Sequence, residues 1–223
     1  MSGEEKEELG PLPAGRQHGL SREQVAHQHR ERLIAALAEV VTEKGYGAVT
    51  IADITAAAQV SRRTFYEHFQ SKEECFLAAF DVVIEHLREL LIKAIEPIPD
   101  WPHRIAAGLR ALLRFLVSEP GLARLCMVDS LTAGPVVAER YREVIFTFTP
   151  LLQPGREEHK SPRPLPDSTE DTVIGSLASV ISRSIMAGEG EQLEDLLPDL
   201  TAFVLMPYLG PEEARRIAAE TES

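Results

Sequence analysis

Three helix-start signals follow one another closely between residues 50 and 74. Thr50-Ile-Ala-Asp53, Ser61 and Ser71-Lys-Glu-Glu74 each place a hydroxyl residue where its oxygen can accept a backbone N–H of a first helical turn. This spacing predicts two short helices, one through about Ala57 and one to Phe69, followed by a long helix to about Ile95. We therefore expect a compact helical unit here, which limits the folds open to the chain.

The two short helices are joined by only Ala58-Gln59-Val60, and such a short connection makes two helices cross at a steep angle. Phe65 and Phe69 are four residues apart, so they lie on one face of the second short helix. Neighbouring aliphatic residues complete the inward side of the pair. The inward groups are Ile51, Ile54, Val60, Phe65 and Phe69.

The outward face of the second short helix carries Arg62, Arg63 and Tyr66. Two guanidinium groups and a phenol are a poor solubilising surface, but they suit DNA. Arginine can bond a guanine edge through two N–H groups, and tyrosine, threonine and lysine donate to phosphate oxygens. The pattern therefore favours a surface that contacts nucleic acid.

Helix N-termini would add to this surface, because their first backbone N–H groups attract phosphate. Thr50 and Ser61 lie at two such termini, and Lys72 lies at the start of the long helix.

Structural interpretations of the same residues remain open. The whole face can be an ordinary solvated surface, and Arg63 can pair with Glu67 one helical turn away. Tyr66 can be a packing tyrosine with an exposed hydroxyl, and His68 can be a partly buried structural histidine.

Charge is unevenly distributed along the 223 residues, whose formal net charge is −12. Residues 1–20 carry a net −2, residues 21–72 a net +1 and residues 73–223 a net −11. The net charge alone would argue against a nucleic-acid partner. Its distribution nevertheless leaves room for one local contact surface in the first third of the chain.

Several classes of protein are disfavoured by the sequence. The chain has no run of about 18 apolar residues for a membrane span, and its acidic N-terminus lacks the apolar region of a secretory signal. Metal-spaced His/Cys clusters, a Gly-rich phosphate loop after a strand and a nucleophile elbow are all missing. We therefore expect a cytoplasmic protein that is not an enzyme, uses no metal or cofactor and does not bind membranes.

The two cysteines, Cys75 and Cys126, do not make a disulfide framework. Each is most simply a small buried hydrophobic residue on a helix. A redox-sensing pair remains an alternative, because sequence does not show whether the two thiols are close.

Apolar periodicity, Gly and Pro together predict an all-α fold with three short helices followed by a larger bundle. We expect a disordered N-terminal arm over 1–20, a three-helix domain over 21–72 and a helical-bundle domain over 73–223. Helices are predicted at 103–118, 122–131, 135–152, 169–187 and from 193 to 210, with Ser168 as a cap. Four prolines predict a mobile loop at 153–167.

Two segments resemble the helix-turn-helix signature of the TetR family of bacterial repressors: V-S-R-R-T-F-Y-E-H-F-Q-S-K-E-E and, upstream of it, G-Y-G-A-V-T-I-A-D-I-T-A-A-A. Three parts of the signature keep the family's spacing: the Tyr-x-His-Phe core, the Ser-Lys-Glu entry and the upstream Gly-Tyr…Thr-Ile-x-x-Ile. The match covers about residues 24–80. One departure is Gln59, which stands where the family usually has Gly. If this residue is left-handed, its side chain costs about 1–2 kcal/mol.

The resemblance implies a role for every residue of the predicted DNA-binding set except Ser61, which belongs to the set through its helix N-terminus. The set is Thr50, Ser61, Arg62, Arg63, Thr64, Tyr66, His68 and Lys72. Phosphates would be held by Thr50, Tyr66 and Lys72. The major groove would be faced by Arg62, Arg63 and Thr64, and His68 would support the backbone contact.

The resemblance also implies that the second domain dimerises through its last two long helices and binds a small molecule inside. Small residues in 172–188, including Gly175 and Ser179, suit a close seam between subunits, although packing within one subunit would explain them as well. Residues that can form either pocket walls or ordinary core are Trp101, Phe115, Met127, Tyr141 and Phe148.

The leading hypothesis from the sequence is a ligand-responsive repressor that binds a palindromic operator as a homodimer and is released by a small-molecule effector. The alternative is a helical interaction protein that uses the same fold without reading an operator.

Overall fold

The computed structural model describes residues 22–159 and 161–222, which contain helices, turns and loops but no strand. The predicted all-α class is therefore confirmed. The predicted arm over 1–20 lies outside the described residues.

The first four helices follow the predicted pattern closely: α1 spans Arg22–Lys44, α2 Ile51–Ala57, α3 Arg62–His68 and α4 Lys72–Ile95. A short 3-10 turn, Tyr46–Ala48, lies between α1 and α2. Bulky side chains from all four helices form the core of this part of the chain. Those with 2% exposure or less include Leu33, Leu37, Ile54, Phe65, Phe69 and Phe76. Each such side chain contributes about 1.5–3 kcal/mol of burial free energy.

The predicted caps form in two different ways. Thr50 and Asp53 make a complete capping box, in which the Thr50 Oγ1 accepts the Asp53 N–H at 3.2 Å and the Asp53 carboxylate accepts the Thr50 N–H at 2.9 Å. Ser71 accepts the Glu74 N–H at 3.1 Å, but the Glu74 carboxylate accepts the Gln70 N–H instead of closing the box on Ser71.

The remaining helices form a bundle with α4. They are α5 (Trp101–Ser118), α6 (Pro120–Met127), α7 (Pro135–Phe146), α8 (Gly155–Glu158), α9 (Thr169–Met186), α10 (Leu197–Leu209) and α11 (Pro211–Ala219). Further 3-10 segments occupy Asp129–Leu131, Thr149–Leu151, Gly190–Leu196 and Glu220–Glu222.

The largest departures from the predicted pattern lie in the middle of the chain. The helix predicted over 122–131 ends at Met127, where the Ser130 hydroxyl donates to the Cys126 carbonyl. Ser168 makes no side-chain cap for α9. The predicted mobile loop begins with α8, whose Arg156 forms two hydrogen bonds with the buried carboxylate of Glu170 at 2.8 and 2.6 Å. This ion pair holds α8 against α9, and local sequence pattern gave no sign of it.

The turn between α2 and α3 contains Gln59, whose φ of 53° makes it the one non-glycine residue with positive φ among the described residues. Its N–H donates to the Ala56 carbonyl and the Val60 N–H to the Thr55 carbonyl, which is a Schellman motif. Arg32 on α1 donates to the carbonyls of both Ala58 and Gln59. The turn is therefore held in a strained conformation by partners on both sides.

Replacing Gln59 with glycine should stabilise the protein by about 0.5–1 kcal/mol. Glycine removes the left-handed penalty of about 1–2 kcal/mol, and its greater freedom in the unfolded chain offsets part of that gain. The Gln59 side chain is exposed and makes no hydrogen bond in the described chain, so little else is lost. The measurement is the midpoint of urea unfolding.

Gln59→Ala is the matched control, because it removes the same side chain but keeps the Cβ that causes the strain. It should leave the midpoint close to that of the wild type. A glycine variant no more stable than the alanine variant would show that the turn is not strained.

Candidate nucleic-acid interface and interior cavity

The exposed side of α3 presents a continuous polar surface, which we call the reading face and define by Ser61, Arg62, Arg63 and Tyr66. Tyr66 leaves 58% of its surface exposed, although its ring packs edge-on against Phe65 at a centroid distance of 5.5 Å. Arg62 makes no hydrogen bond or ion pair within the described part of the chain. The α3 helix thus holds a free guanidinium and a fixed phenol out towards solvent.

Arg63 pairs with Glu67, as the structural interpretation of the sequence expected, with 3.1 Å between Nε and the carboxylate oxygen. The Arg63 side chain is 89% exposed, and exposed pairs of this kind contribute little and exchange partners readily. Arg62 therefore differs from Arg63 in being free of a competing carboxylate.

The hydroxyl groups at the two short helix starts are already engaged. The Thr50 hydroxyl donates to Asp53 at 2.7 Å, and Lys44 donates to the same carboxylate at 2.7 Å. These hydrogen bonds, from Lys44 first and then from Thr50, hold the pKa of Asp53 well below its usual range. Ser61 and Thr64 share a hydroxyl–hydroxyl contact of 2.9 Å. The predicted phosphate role of Thr50 therefore requires the Asp53 bond to be exchanged.

Lys72 has a structural role that the sequence did not reveal. Its ammonium donates to the carbonyls of Tyr46 and Val49 at 3.0 and 2.8 Å, and it lies 4.1 Å from the centre of the Tyr46 ring. Burial lowers the pKa of Lys72 from its ordinary value. Two of its three N–H groups fix the turn after α1, and the third makes no hydrogen bond within the described part of the chain.

His68 lies half-buried beneath the reading face, with its ring edge-on to His29 at a centroid distance of 6.3 Å. Burial is the main cause that lowers the pKa of His68 below 6.5, and His29 adds to it. This shift favours the neutral imidazole, whose contribution to a DNA contact would come from packing or a neutral hydrogen bond.

Sequence reasoning missed three basic residues that support this surface from α1. Arg32 holds the turn before α3, Lys44 pairs with Asp53, and Arg30 lies 5.3 Å from the centre of the Phe69 ring. Their partners are remote in sequence, so no local motif identifies them.

An interior cavity of about 250 Å³ lies among α4, α5, α6, α7, α9 and the Thr149–Leu151 segment. It is lined by all five residues that the sequence left open between pocket wall and ordinary core: Trp101, Phe115, Met127, Tyr141 and Phe148. The remaining lining is almost entirely aliphatic or aromatic, and Arg104 is the one charged residue among the described lining residues. The cavity can therefore hold an apolar molecule.

Helix α6 connects this cavity to the first helices. Cys126 and Met127 line the cavity, whereas Gly121 lies so close to α1 that a Cβ there would be 2.0 Å from the Thr42 Oγ1. Just beyond α6, the buried Asp129 lies near the backbone amide of Tyr46 and 3.7 Å from the Nε of Arg124. Burial raises the pKa of Asp129, and Arg124 opposes that effect.

No single helix in the described ranges is long and apolar enough to cross a membrane. One pair, Pro120–Leu131 with Pro135–Leu151, passes the same test only when taken together, and the pair is bent by 116°. The described residues also contain no group of three His, Cys, Asp or Glu side chains that could hold a metal ion.

Comparison with known proteins places residues 33–79 in the family described as bacterial regulatory proteins, tetR family. The transcriptional regulator EthR of Mycolicibacterium smegmatis is 27% identical over 182 residues, which cover 79% of this chain and 82% of EthR. The transcriptional activator FasR of the same organism is 29% identical over 115 residues, 52% of each protein. The chain thus matches only about half the length of FasR.

The overall fold is shared with a solved structure. The regulator FadR of Bacillus subtilis, crystallised with stearoyl-CoA, superposes with a TM-score of 0.68 over 81% of this chain and 98% of FadR, at 17% identity. This likeness extends the shared architecture beyond the helix-turn-helix to the helical bundle. The helix-turn-helix match and the regulators that align with it identify the chain as a member of the TetR family of transcriptional regulators.

Proposed function

We propose that the protein is a ligand-responsive repressor that binds a palindromic operator as a homodimer in the cytoplasm and is released by a small molecule. The observation that carries this proposal is the position of α6. One side of α6 lines the apolar cavity, and the other side packs against the helices that hold the reading face.

The reading face supplies both kinds of contact that an operator complex needs. Arg62 lies in the first turn of α3, the end at which recognition helices enter the major groove, and its guanidinium is free to bond a base edge. Tyr66 and the remaining N–H of Lys72 would contact phosphates without regard to sequence. Arg63 would give up its ion pair with Glu67 and contact a phosphate instead.

A homodimer is supported by the outward faces of α9 and α10. Along α9, Gly175 and Ser176 are only partly covered and Ser179 is exposed, so a second helix could approach closely. Exposed apolar side chains flank these small residues, with Met186 59%, Phe203 43% and Met206 38% exposed. An apolar surface of this kind is commonly covered by a second copy, and two-fold symmetry would match a palindrome.

Release would follow from a shift between two arrangements of α6. A ligand that separates the cavity walls would displace Cys126 and Met127, and the tight contact of Gly121 with Thr42 would carry that displacement to α1. The ligand can shift the equilibrium only by its difference in affinity for the two arrangements. The stearoyl-CoA bound by FadR supports the use of this bundle as a ligand site.

Repression is proposed because a dimer on an operator blocks the duplex without a further surface for a partner. FasR is named an activator, so the sign of regulation needs a direct test. A promoter–reporter carrying the selected operator should be silent with the protein and active when the effector is added.

Truncating Arg62 to alanine should weaken operator binding by about 1–3 kcal/mol and relax discrimination at one base position. Three further variants should weaken binding to all DNA sequences about equally, because they remove phosphate contacts: Arg63→Ala, Tyr66→Phe and Lys72→Ala. Each lost cation should also reduce the salt dependence of binding: the slope of the logarithm of the binding constant against the logarithm of salt concentration should become shallower by about one. The measurement is binding to an operator selected from random duplexes, and to a scrambled duplex, at several salt concentrations.

Arg142→Ala is the matched control, since Arg142 is an exposed arginine paired with Glu139 on α7, outside the reading face. It should bind like the wild type. Full discrimination by Arg62→Ala would reject this residue as the reader. Wild-type affinity in all four variants, or no selected palindrome, would favour a helical interaction protein that does not read DNA.

Gly175→Leu should weaken the homodimer. A Cβ at Gly175 meets nothing within 4 Å inside the subunit, so a larger side chain there would clash only with a partner. Leucine is also a better helix former than glycine, so the subunit itself should stay folded. Light scattering should give a dimer for the wild type and a mass near 24.7 kDa for the variant at micromolar concentration.

Gly47→Leu serves as the control, because a Cβ there also meets open space but lies in the turn after α1. It should remain dimeric. A wild type that is monomeric would reject the dimer, and an unaffected Gly175→Leu variant would place the seam elsewhere.

The double variant Cys75→Ala/Cys126→Ala should bind DNA as the wild type does, with and without hydrogen peroxide. Both thiols are buried, and burial raises each pKa to about 12, so thiolate is scarce at neutral pH. The measurement is operator binding after peroxide treatment. Release of the wild type by peroxide that the double variant no longer shows would instead identify a redox sensor.

A further inference from the structure

Arg104 stands apart from the rest of the cavity lining. Its Nη2 donates to the Pro99 carbonyl at 2.6 Å, which fixes the guanidinium at the start of α5. Its Nε is buried and has no hydrogen-bond partner among the described residues. Native proteins rarely leave a buried donor without an acceptor. Because Arg104 is one of the cavity-lining residues, a molecule bound in the cavity could supply that acceptor.

Arg156, near the same end of the cavity, shows that the free donor is specific to Arg104. Arg156 donates to both carboxylate oxygens of Glu170 and to the carbonyls of Leu165 and Pro166. Its hydrogen-bonding groups are thus occupied by the protein itself. Arg104 Nε is the group left for a ligand.

The cavity has a defined direction. Its walls include α4 residues from Phe80 to Ile95 and α5 residues from Trp101 to Leu116, a length of roughly 20 Å along each helix. Its volume is only about 250 Å³, so it is narrow for its length. Phe80 is fully buried at one end, whereas Leu151 at the Arg104 end is 41% exposed.

We propose that the cavity takes an elongated amphiphile whose apolar body extends towards Phe80 and whose anionic, hydrogen-bond-accepting group binds Arg104 Nε. An apolar body matches the lining, and an anion would satisfy the buried N–H and pair with the guanidinium charge. This inference rests on the proposed function only in treating the bound molecule as the effector.

Three probes that share one alkyl chain and differ in the head group test this inference: decanoate, decanol and decyltrimethylammonium. Trp101 is the only tryptophan and lines the cavity, so its fluorescence reports binding without a label or DNA. The wild type should bind decanoate about tenfold more tightly than decanol, as expected for a hydrogen bond to a charged group. Decyltrimethylammonium should bind more weakly than both.

Arg104→Met keeps the length of an apolar side chain but removes the donor and the charge, so decanoate and decanol should then bind within about twofold of each other. Arg104→Lys restores the charge and should recover part of the preference for decanoate. Arg114→Met is the matched control, because Arg114 lies on the same helix, does not line the cavity and pairs with Glu194. It should keep the wild-type order of the three probes.

No binding of decanoate, no preference for it over decanol in the wild type, or a preference that survives Arg104→Met would each overturn the inference. Operator binding is measured separately with the same probes. A preserved preference with no change in DNA affinity would reject the proposed release mechanism but not the ligand class.

Discussion

The structure depends on the burial of one face of α4, which belongs to both halves of the molecule. Near its start, Phe76 packs on Tyr46 at a centroid distance of 4.8 Å, and the Cys75 thiol lies 3.8 Å from the Leu33 carbonyl on α1. Further along, Phe80, Leu87 and Leu91 form one wall of the cavity. The same helix therefore completes the core beneath the reading face and shapes the cavity. The domain boundary predicted between residues 72 and 73 falls where these shared contacts begin.

Tyr46 is the point at which both halves meet the turn after α1. Lys72 on α4 donates to its carbonyl, its ring packs on Phe76, and Asp129 beyond α6 lies near its amide. A buried polar contact of this kind has few alternative arrangements, because an unpaired group would cost about 1–3 kcal/mol. Under the proposed release mechanism, a movement of α6 relative to α4 would reach Tyr46 before it reached α2, which follows Tyr46 in the chain.

Local signals in the sequence were enough to predict the helices of the first part of the chain, because caps act within one turn. Thr50, Ser61 and Ser71 all accept the expected N–H groups. The roles of Lys72, Arg32 and Arg156 could not be predicted, since their partners lie 9 to 27 residues away. The sequence did not distinguish cavity wall from ordinary core for five residues, which are Trp101, Phe115, Met127, Tyr141 and Phe148. Only the packing of α4 against α5, α7 and α9 shows a cavity between them.

The close approach of α1 and α6 explains how a small apolar cavity could control a distant surface. At Gly121 the two helices leave no room even for a methyl group, because a Cβ would lie 2.0 Å from the Thr42 Oγ1. A well-packed contact does not absorb displacement gradually; it either moves as a unit or changes to another packing. The strained turn at Gln59 and its Arg32 anchor on α1 extend that unit to α3. Under the proposed release mechanism, a ligand that displaces Met127 would therefore reach α3 through the packed contact of α6 with α1.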